Sequence, residues 1–468
     1  MKTLLLLVVL SLSHLFTDHA VLQRETQAPV WGWGTPGATV EVQGSWNGQS
    51  VKTTVQADSS WRVTLFTGAA GGPYTLQVRS GKEKRLVRDI WLGEVWICSG
   101  QSNMEMPVSG FGYQDVEGSV EAVMSAGATA SRVRVFAVKT DKCTAPVKDV
   151  DAVWKLSTPN VTAWTSAIGY FFARRLQSLL DVPVGIITNP WGGSRIEPWM
   201  TREAIAGAGL SAEELAVIDA LRERPENWPQ MPQLVWNGRV APIAGYAARG
   251  ILWYQGCSNM DQPCYDKLQA AMVRQWREAW GRELPFIYAL LAPYEHGDAN
   301  GRMRPFFTET QLNTENLIPQ AWAVCTETLG SLATIHPPRK REVADLMVQR
   351  ALQNVYGISP GFCIELPRLD SADFRPDGSV AVRLTNVWGN LGSMSAPEIT
   401  GFELAGEDRV FHLAQARVEG DGQTVLVRCP EAPCPVAVRY AFRNWMGANL
   451  QTSMGIPVPP FRSDQWEY

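Results

Sequence analysis

From about Val21 to Val87, apolar and polar residues alternate in short runs: Val30-Trp31-Gly32-Trp33, Thr39-Val40-Glu41-Val42 and Tyr74-Thr75-Leu76-Gln77-Val78. Gly, Pro, Asn and Asp separate them. A period of two broken by turn residues predicts a small antiparallel β-sandwich. Its last strand leads almost directly into an apolar, strand-like run from Asp89 to Cys98. The middle of the chain then changes character, and short apolar runs alternate with helix-period segments, which predicts a parallel sheet covered by helices on both faces. The expected strands are Arg132–Val138, Val182–Thr188, Arg249–Tyr254, Pro285–Leu291 and Ala321–Cys325. The expected helices are Ala167–Leu180, Arg202–Arg222, Tyr265–Trp280 and Arg339–Tyr356. After about Pro360 the alternation returns, in Val380-Ala381-Val382-Arg383-Leu384, Val425-Leu426-Val427 and Val436-Ala437-Val438-Arg439-Tyr440. A second β region therefore reaches towards the C-terminus. No period of twenty to fifty residues marks a solenoid or propeller.

At the N-terminus, Met1-Lys2-Thr3 and the apolar run from Leu4 to Leu12 read as a signal peptide, too short to span a bilayer. Cleavage after Ser13 is expected, and with it a secreted, periplasmic or lysosomal protein. The pattern divides the rest into a β-sandwich domain over residues 14–90, an α/β domain over 91–358 and a C-terminal β domain over 359–468. No later segment has eighteen uninterrupted apolar residues, so no membrane span is expected.

Composition changes this picture little. A hydrophobic share of 45% and a charged share of 19% are those of a folded chain. The formal charge of −4, with no long basic run, gives no electrostatic footprint for nucleic acid. The 19 Trp residues are unusual; they suit core packing, and flat aromatic faces also suit sugar rings. Eight Cys in an exported chain allow disulfides, with Cys257/Cys264 and Cys429/Cys434 the closest pairs, though spacing does not fix the pairing. Neither Cys-x-x-Cys nor His-x-x-x-His occurs, so no metal or other cofactor is implied. Asn160-Val161-Thr162 is a glycosylation sequon only in a eukaryotic secretory route.

In an open sheet, ligands bind beyond the carboxyl ends of the strands. Three segments fall there: Gly100-Gln101-Ser102-Asn103-Met104, Trp191-Gly192-Gly193-Ser194 and Gln255-Gly256. A serine at a strand-to-helix turn is by itself commonly a helix N-cap. It is also how a nucleophile is mounted. Ester hydrolysis by a serine needs a nucleophile, a base in hydrogen-bond reach and donors aimed at the oxyanion. Ser102 is the nucleophile candidate, and its own N–H, that of Gly193 and the Gln255 amide are the donor candidates. The chain has five His, namely His14, His19, His296, His336 and His412. His336, presented by Pro337 and Pro338 just before a helix, is the best placed as base, with His296 its rival.

These stretches resemble the sialate O-acetylesterase group of the SGNH hydrolases, serine esterases that remove acetyl groups from sugars. The resemblance rests on Leu22-Gln23 after Asp18-His19, Val30-Trp31-Gly32-Trp33, Glu94 to Glu105, Trp191 to Trp199, Trp253-Tyr254-Gln255-Gly256, Leu291-Ala292-Pro293-Tyr294 and Ile335-His336-Pro337, in family order. It implies an α/β fold with an SGNH-like three-layer sandwich and a mainly parallel sheet, flanked by β-sandwich regions. It also implies a Ser102/His336 pair, an oxyanion pocket including Gly193, and a Gln255-bearing loop at the site. The flanking Gln101, Asn103, Arg195 and Cys257 are then candidates for substrate contact. An O-acetylated carbohydrate is the implied partner, acetylated sialic acid foremost and acetylated plant polysaccharide, such as acetyl xylan, as an alternative.

The chain departs from the family at the two positions that could orient the histidine: Cys257 stands where an acid usually follows Gln-Gly, and Thr334 where an Asp usually precedes Ile-His-Pro. Losing such a carboxylate lowers turnover about 10⁴-fold in a well-studied triad. Three readings stay open: a Ser–His dyad held by Thr334 or a backbone carbonyl, a substitute acid at Glu327 or Asp345, or a catalytically weakened glycan-binding protein. A Cys257 nucleophile is disfavoured, because Ser102 already holds the presented turn.

Overall fold

A computed structural model describes residues 9–298 and 301–466. The described residues fall into two compact units, the first from Met1–Leu252 and Ala271–Phe286, the second from Trp253–Ala270 and Ile287–Tyr468.

In the first unit the expected β pattern is realised as eight strands: β1 (Ser11–Leu12), β2 (Val21–Gln23), β3 (Thr26–Trp33), β4 (Thr39–Gly44), β5 (Ser50–Thr54), β6 (Ser60–Thr67), β7 (Gly71–Ser80) and β8 (Glu83–Gly100). Strands β1, β3 and β6 form one sheet, in that order. Along β6, burial alternates strictly through Trp61, Val63 and Leu65, as a half-buried strand requires. Most of the proposed leader lies outside the described residues. Its end does not: Leu10 is buried, Ser11 and Leu12 pair with Trp33 and Gly32, and Ser13 Oγ donates to Asp149 at 2.8 Å. Cleavage after Ser13 would remove a strand that this sheet uses.

Strand β8 is 18 residues long and serves two sheets. Its first half pairs antiparallel with β7, while Glu94 to Gly100 pair in parallel register with Val184 to Pro190 of β11 (Val184–Pro190). The second half is buried on both faces from Leu92 onward, so alternation gives way to continuous burial, with the buried Glu94 paired to Arg24 and Arg249. Between them in the chain come α1 (Ser102–Glu105), β9 (Val133–Ala137), β10 (Trp154–Leu156) and α2 (Ala167–Leu180). The strand order here is β10-β9-β11-β8, followed by the start of β12 (Gly250–Tyr254). β8, β11 and β9 run parallel and β10 pairs antiparallel with β9, so this part of the sheet is mixed. The expected helix Arg202–Arg222 is instead two, α3 (Arg202–Ala206) and α4 (Ala212–Asp219). Gly209, at φ +74°, breaks the run, and Ser211 with Glu214 forms a capping box that restarts it.

Helix α5 (Tyr265–Trp280) begins in the second unit and ends in the first. In the second unit follow β13 (Phe286–Ala289), α6 (Met303–Leu317), β14 (Ala321–Val324) and α7 (Lys340–Asn354). The C-terminal alternation folds as a seven-stranded antiparallel sheet: β15 (Arg368–Phe374), β16 (Val380–Thr385), β18 (Ile399–Ala405), β19 (His412–Val418), β20 (Thr424–Arg428), β21 (Ala437–Tyr440) and β23 (Phe461–Arg462). Their spatial order is β15-β16-β20-β19-β18-β21-β23, and the short pair β17 (Leu391–Gly392) and β22 (Gln451–Thr452) stands apart from it. Val380, Val382, Leu404, Val425, Val427, Val438 and Tyr440 build its core. No helix among the described residues is long and apolar enough to cross a membrane. None of the eight cysteines is disulfide-bonded, and the closely spaced Cys257/Cys264 and Cys429/Cys434 stand unbridged. Cys264 is buried and accepts from Gln262 Nε2 at 3.4 Å, and Cys429 Sγ donates to the Leu413 carbonyl.

Candidate active site

In the first unit, β8 delivers its last residue, Gly100, at φ +134°, a backbone value that side chains oppose, and Gln101 follows extended as the N-cap of α1. Ser102 is therefore the first helical residue, half-buried at the end of a buried strand. Across the sheet, β11 ends in the Trp191-Gly192-Gly193 loop, and Trp191 N–H donates to the Gly100 carbonyl at 2.8 Å. A Cβ on Gly192 would stand in ordinary contact with Ser102 Cβ at 3.5 Å but 2.7 Å from Glu105 Oε2, so a side chain there would push the Glu105 carboxyl aside. Gly193, at φ +67°, turns the chain against Trp228, whose ring a Cβ would meet at 2.5 Å.

The loop is pinned by a group the sequence reading gave no role. Glu105 Oε2 accepts the Gly192 N–H at 2.7 Å. Burial pushes the Glu105 carboxyl up, while the Gly192 hydrogen bond and the Arg239 charge oppose that rise. Arg239 is itself buried, which brings its guanidinium down to about 10, still cationic at neutral pH, with Glu105 and Asp141 favouring its charge. It lies 5.0 Å from the centre of the Trp191 ring and donates to the Pro190 and Val138 carbonyls. Arg239, Trp191 and Glu105 thus form a brace that fixes both glycines relative to Ser102.

Several residues expected at the site are enclosed. Gln101 and Asn103 are each 2% exposed, and Arg195, 4% exposed, pairs with the fully buried Glu197 at 3.2 Å. The Arg195–Glu197 pair braces the turn after Gly193, while Gln101 and Asn103 are enclosed beside Ser102.

In the second unit, Gln255 is fully buried: its Oε1 accepts from Tyr265 at 2.7 Å and its Nε2 donates to Asn259 Oδ1 at 2.8 Å. Asn259, also fully buried, was missed in sequence although it lies four residues on, across the short turn Cys257–Asn259. His336 is partly buried, and its backbone N–H donates to Thr334 Oγ1 at 3.1 Å. That bond fixes the segment's backbone rather than the ring. Both oxygens of Glu327, a candidate orienting acid, accept from the Arg304 guanidinium, at 2.8 and 3.2 Å. The rival His296 is packed 4.8 Å from the Tyr294 ring, and its Nε2 is buried without a hydrogen-bond partner among the described residues.

The unexpected neighbour is Lys340, the first residue of α7, four residues after His336 and only 1% exposed. Burial brings its ammonium down to about 7, with Cys257 opposing the fall. Burial and the Lys340 charge together lower the His336 imidazole to about 4. At neutral pH the imidazole is thus unprotonated, the state a general base requires. Cys257 also helps to raise the Tyr294 phenol, to about 12, after burial.

Comparison with known proteins completes this description. A family model described as "carbohydrate esterase, sialic acid-specific acetylesterase" matches residues 92–336, more than half of the chain. The chain belongs to this family. The family match runs from the buried half of β8 to His336 and includes Ser102, Gly193 and Gln255, whereas Lys340 and the C-terminal β region lie beyond it. Sialate O-acetylesterase of Homo sapiens is 32% identical over 281 residues, 56% of this chain and 52% of that protein. The Mus musculus protein of the same name is 30% identical over 329 residues, 59% of each. The chain thus spans between half and three-fifths of the length of these curated relatives. The crystal structure of a carbohydrate acetylesterase from Xanthomonas citri is similar over 97% of this chain and 100% of that one, with 32% identity and a TM-score of 0.85.

Proposed function

We propose that this family member is a carbohydrate O-acetylesterase with an SGNH-type three-layer catalytic core, using Ser102 as nucleophile and His336 as general base. The observation that carries the reading is the placement of Ser102 at the end of buried β8, with the Gly192 backbone fixed beside it by Glu105. His336 takes the Ser102 hydroxyl proton as Oγ attacks the acetyl carbonyl. The tetrahedral oxyanion is held by the N–H groups of Ser102 and Gly193, each such donor being worth about 3–4 kcal/mol in a working site. Gln255, held by Tyr265 and Asn259, is the third donor candidate and positions its loop at the pocket. His336 then protonates the departing sugar oxygen, and water releases acetate from the serine.

Acetylated sialic acid is the substrate this reading favours, by analogy with the names of the relatives, and acetylated plant polysaccharide is the second candidate. Acetate release from both substrates by the purified protein, beside Ser102→Ala, His336→Ala and His296→Ala, tests the reading. Both Ser102→Ala and His336→Ala are expected to lose at least about 10³-fold in kcat, with His296→Ala near the parent. Equal rates for parent and Ser102→Ala would remove the serine mechanism, and loss in His296→Ala alone would move the base.

A further inference from the structure

The tryptophans of the chain differ widely in burial. Trp61, Trp96, Trp154, Trp199, Trp253 and Trp276 are fully buried core residues. Trp445 and Trp466 are not: they remain half-exposed on the wall of a groove of about 960 Å³ in the second unit, a volume typical of ligand sites. None of the residues lining this groove belongs to the proposed catalytic set.

We propose that this groove is a second carbohydrate subsite, one that takes a sugar bearing a carboxylate. Two independent features carry the inference. The first is an aromatic face, that of Trp445, that the fold does not consume. Among the described residues the Trp445 ring has no aromatic or cationic neighbour and its indole N–H no acceptor, while Trp466 stands beside Phe411 at 5.6 Å. Flat rings of this kind pack against the C–H face of a pyranose, and an indole N–H adds a donor for a hydroxyl.

The second feature is a charge imbalance. Arg302, Arg409, Arg439 and Arg443 line the groove, and Glu295 is the one carboxylate among its lining residues. Behind the wall, Arg439 is spent on Asp464 through two bonds of 2.7 and 2.8 Å. Buried Glu403 is shared: Arg443 donates to its Oε1 at 2.5 and 2.8 Å, and Arg302 reaches the same oxygen at 3.4 Å. One carboxylate therefore serves two guanidiniums. Arg409 is exposed, lies 5.2 Å from the centre of the Trp466 ring, and has no carboxylate partner among the described residues. An aromatic face flanked by guanidinium forks with spare donors matches a sugar ring carrying a carboxylate, because the fork binds both oxygens at once. Sialic acids and uronic acids share that chemistry.

The test reads binding alone, so its failure is distinct from failure of the serine mechanism. Using Ser102→Ala protein to prevent turnover, calorimetry compares a sialyl oligosaccharide, a glucuronate-bearing xylo-oligosaccharide and a neutral xylo-oligosaccharide of the same length. At least one acidic sugar is expected to bind about tenfold or more tighter than the neutral one. Adding Arg409→Gln or Trp445→Ala is expected to weaken it about tenfold, and raising salt to weaken it further. Whichever acidic sugar binds more tightly identifies the source of the carboxylate. In the Ser102 background, the same two substitutions are expected to leave hydrolysis of a small aryl acetate unchanged. Equal affinity for acidic and neutral sugars, no saturable binding of either acidic sugar, or unaltered affinity in both variants would each overturn the proposal.

Discussion

Glu105 is the residue on which the geometry around Ser102 turns. Its carboxylate does not face substrate in the mechanism; it holds the Gly192 N–H, and through it the backbone of Gly193, in place. A displacement of about 1 Å at a reacting centre costs about 10²-fold. Glu105→Ala is therefore expected to lower kcat by that order with KM little changed, and Glu105→Gln, which keeps an acceptor, to recover most of it. Steady-state kinetics on one acetylated substrate decides between these outcomes. At the base, a imidazole at about 4 must be neutral to accept the serine proton, so the acid limb of kcat/KM is expected near pH 4 rather than 6.5. The Lys340 charge is part of the cause. In Lys340→Met that limb is expected to move up towards the ordinary histidine value, and a limb that stays in place would show that Lys340 does not act on the ring.

At the scale of elements, β8 joins the two roles of the first unit, because one strand completes the N-terminal β region and ends at the nucleophile. Ile97, fully buried and in register with Ile187, lies in the half that carries Ser102. Ile97→Ala is expected to cost about 2–5 kcal/mol of stability, read from the urea midpoint, as for other large-to-small core changes. Helices Ala167–Leu180 and Tyr265–Trp280 have the very bounds read from their 3.6-residue period. Helix α6 escaped that reading. Its sequence carries Pro305, three Thr and two Asn, and its inward face is largely polar, with Arg304, Thr308, Gln311 and Thr314 buried beside Phe307. Tertiary bonds hold it: Gln311 accepts the Leu291 N–H at 3.0 Å and donates to the Gln255 carbonyl at 3.3 Å. A pattern of hydrophobicity has no signal for a helix buried through amides.

For the whole molecule, the lowered His336 value links folding to pH. The unfolded histidine takes up its proton near 6.5, before the folded one does near 4, so stability is present above 6.5 and is lost as pH falls through this window. Unfolding midpoints measured from pH 4 to 7 are expected to fall more steeply with acid in the parent than in His336→Asn; parallel curves would contradict it.

Strand and helix periods, the three loop motifs and the Ser102 turn were legible in the chain because each is set by neighbours a few residues apart. The Glu105–Gly192 anchor spans 87 positions, the Arg304–Glu327 pair engages an acid that spacing alone offered to His336, and the isolation of Lys340 from water depends on what packs over it. Local order follows from local sequence, whereas burial and the partners of a charge exist only once distant segments have met. Those two quantities set the imidazole's proton affinity, and tertiary structure alone decided them.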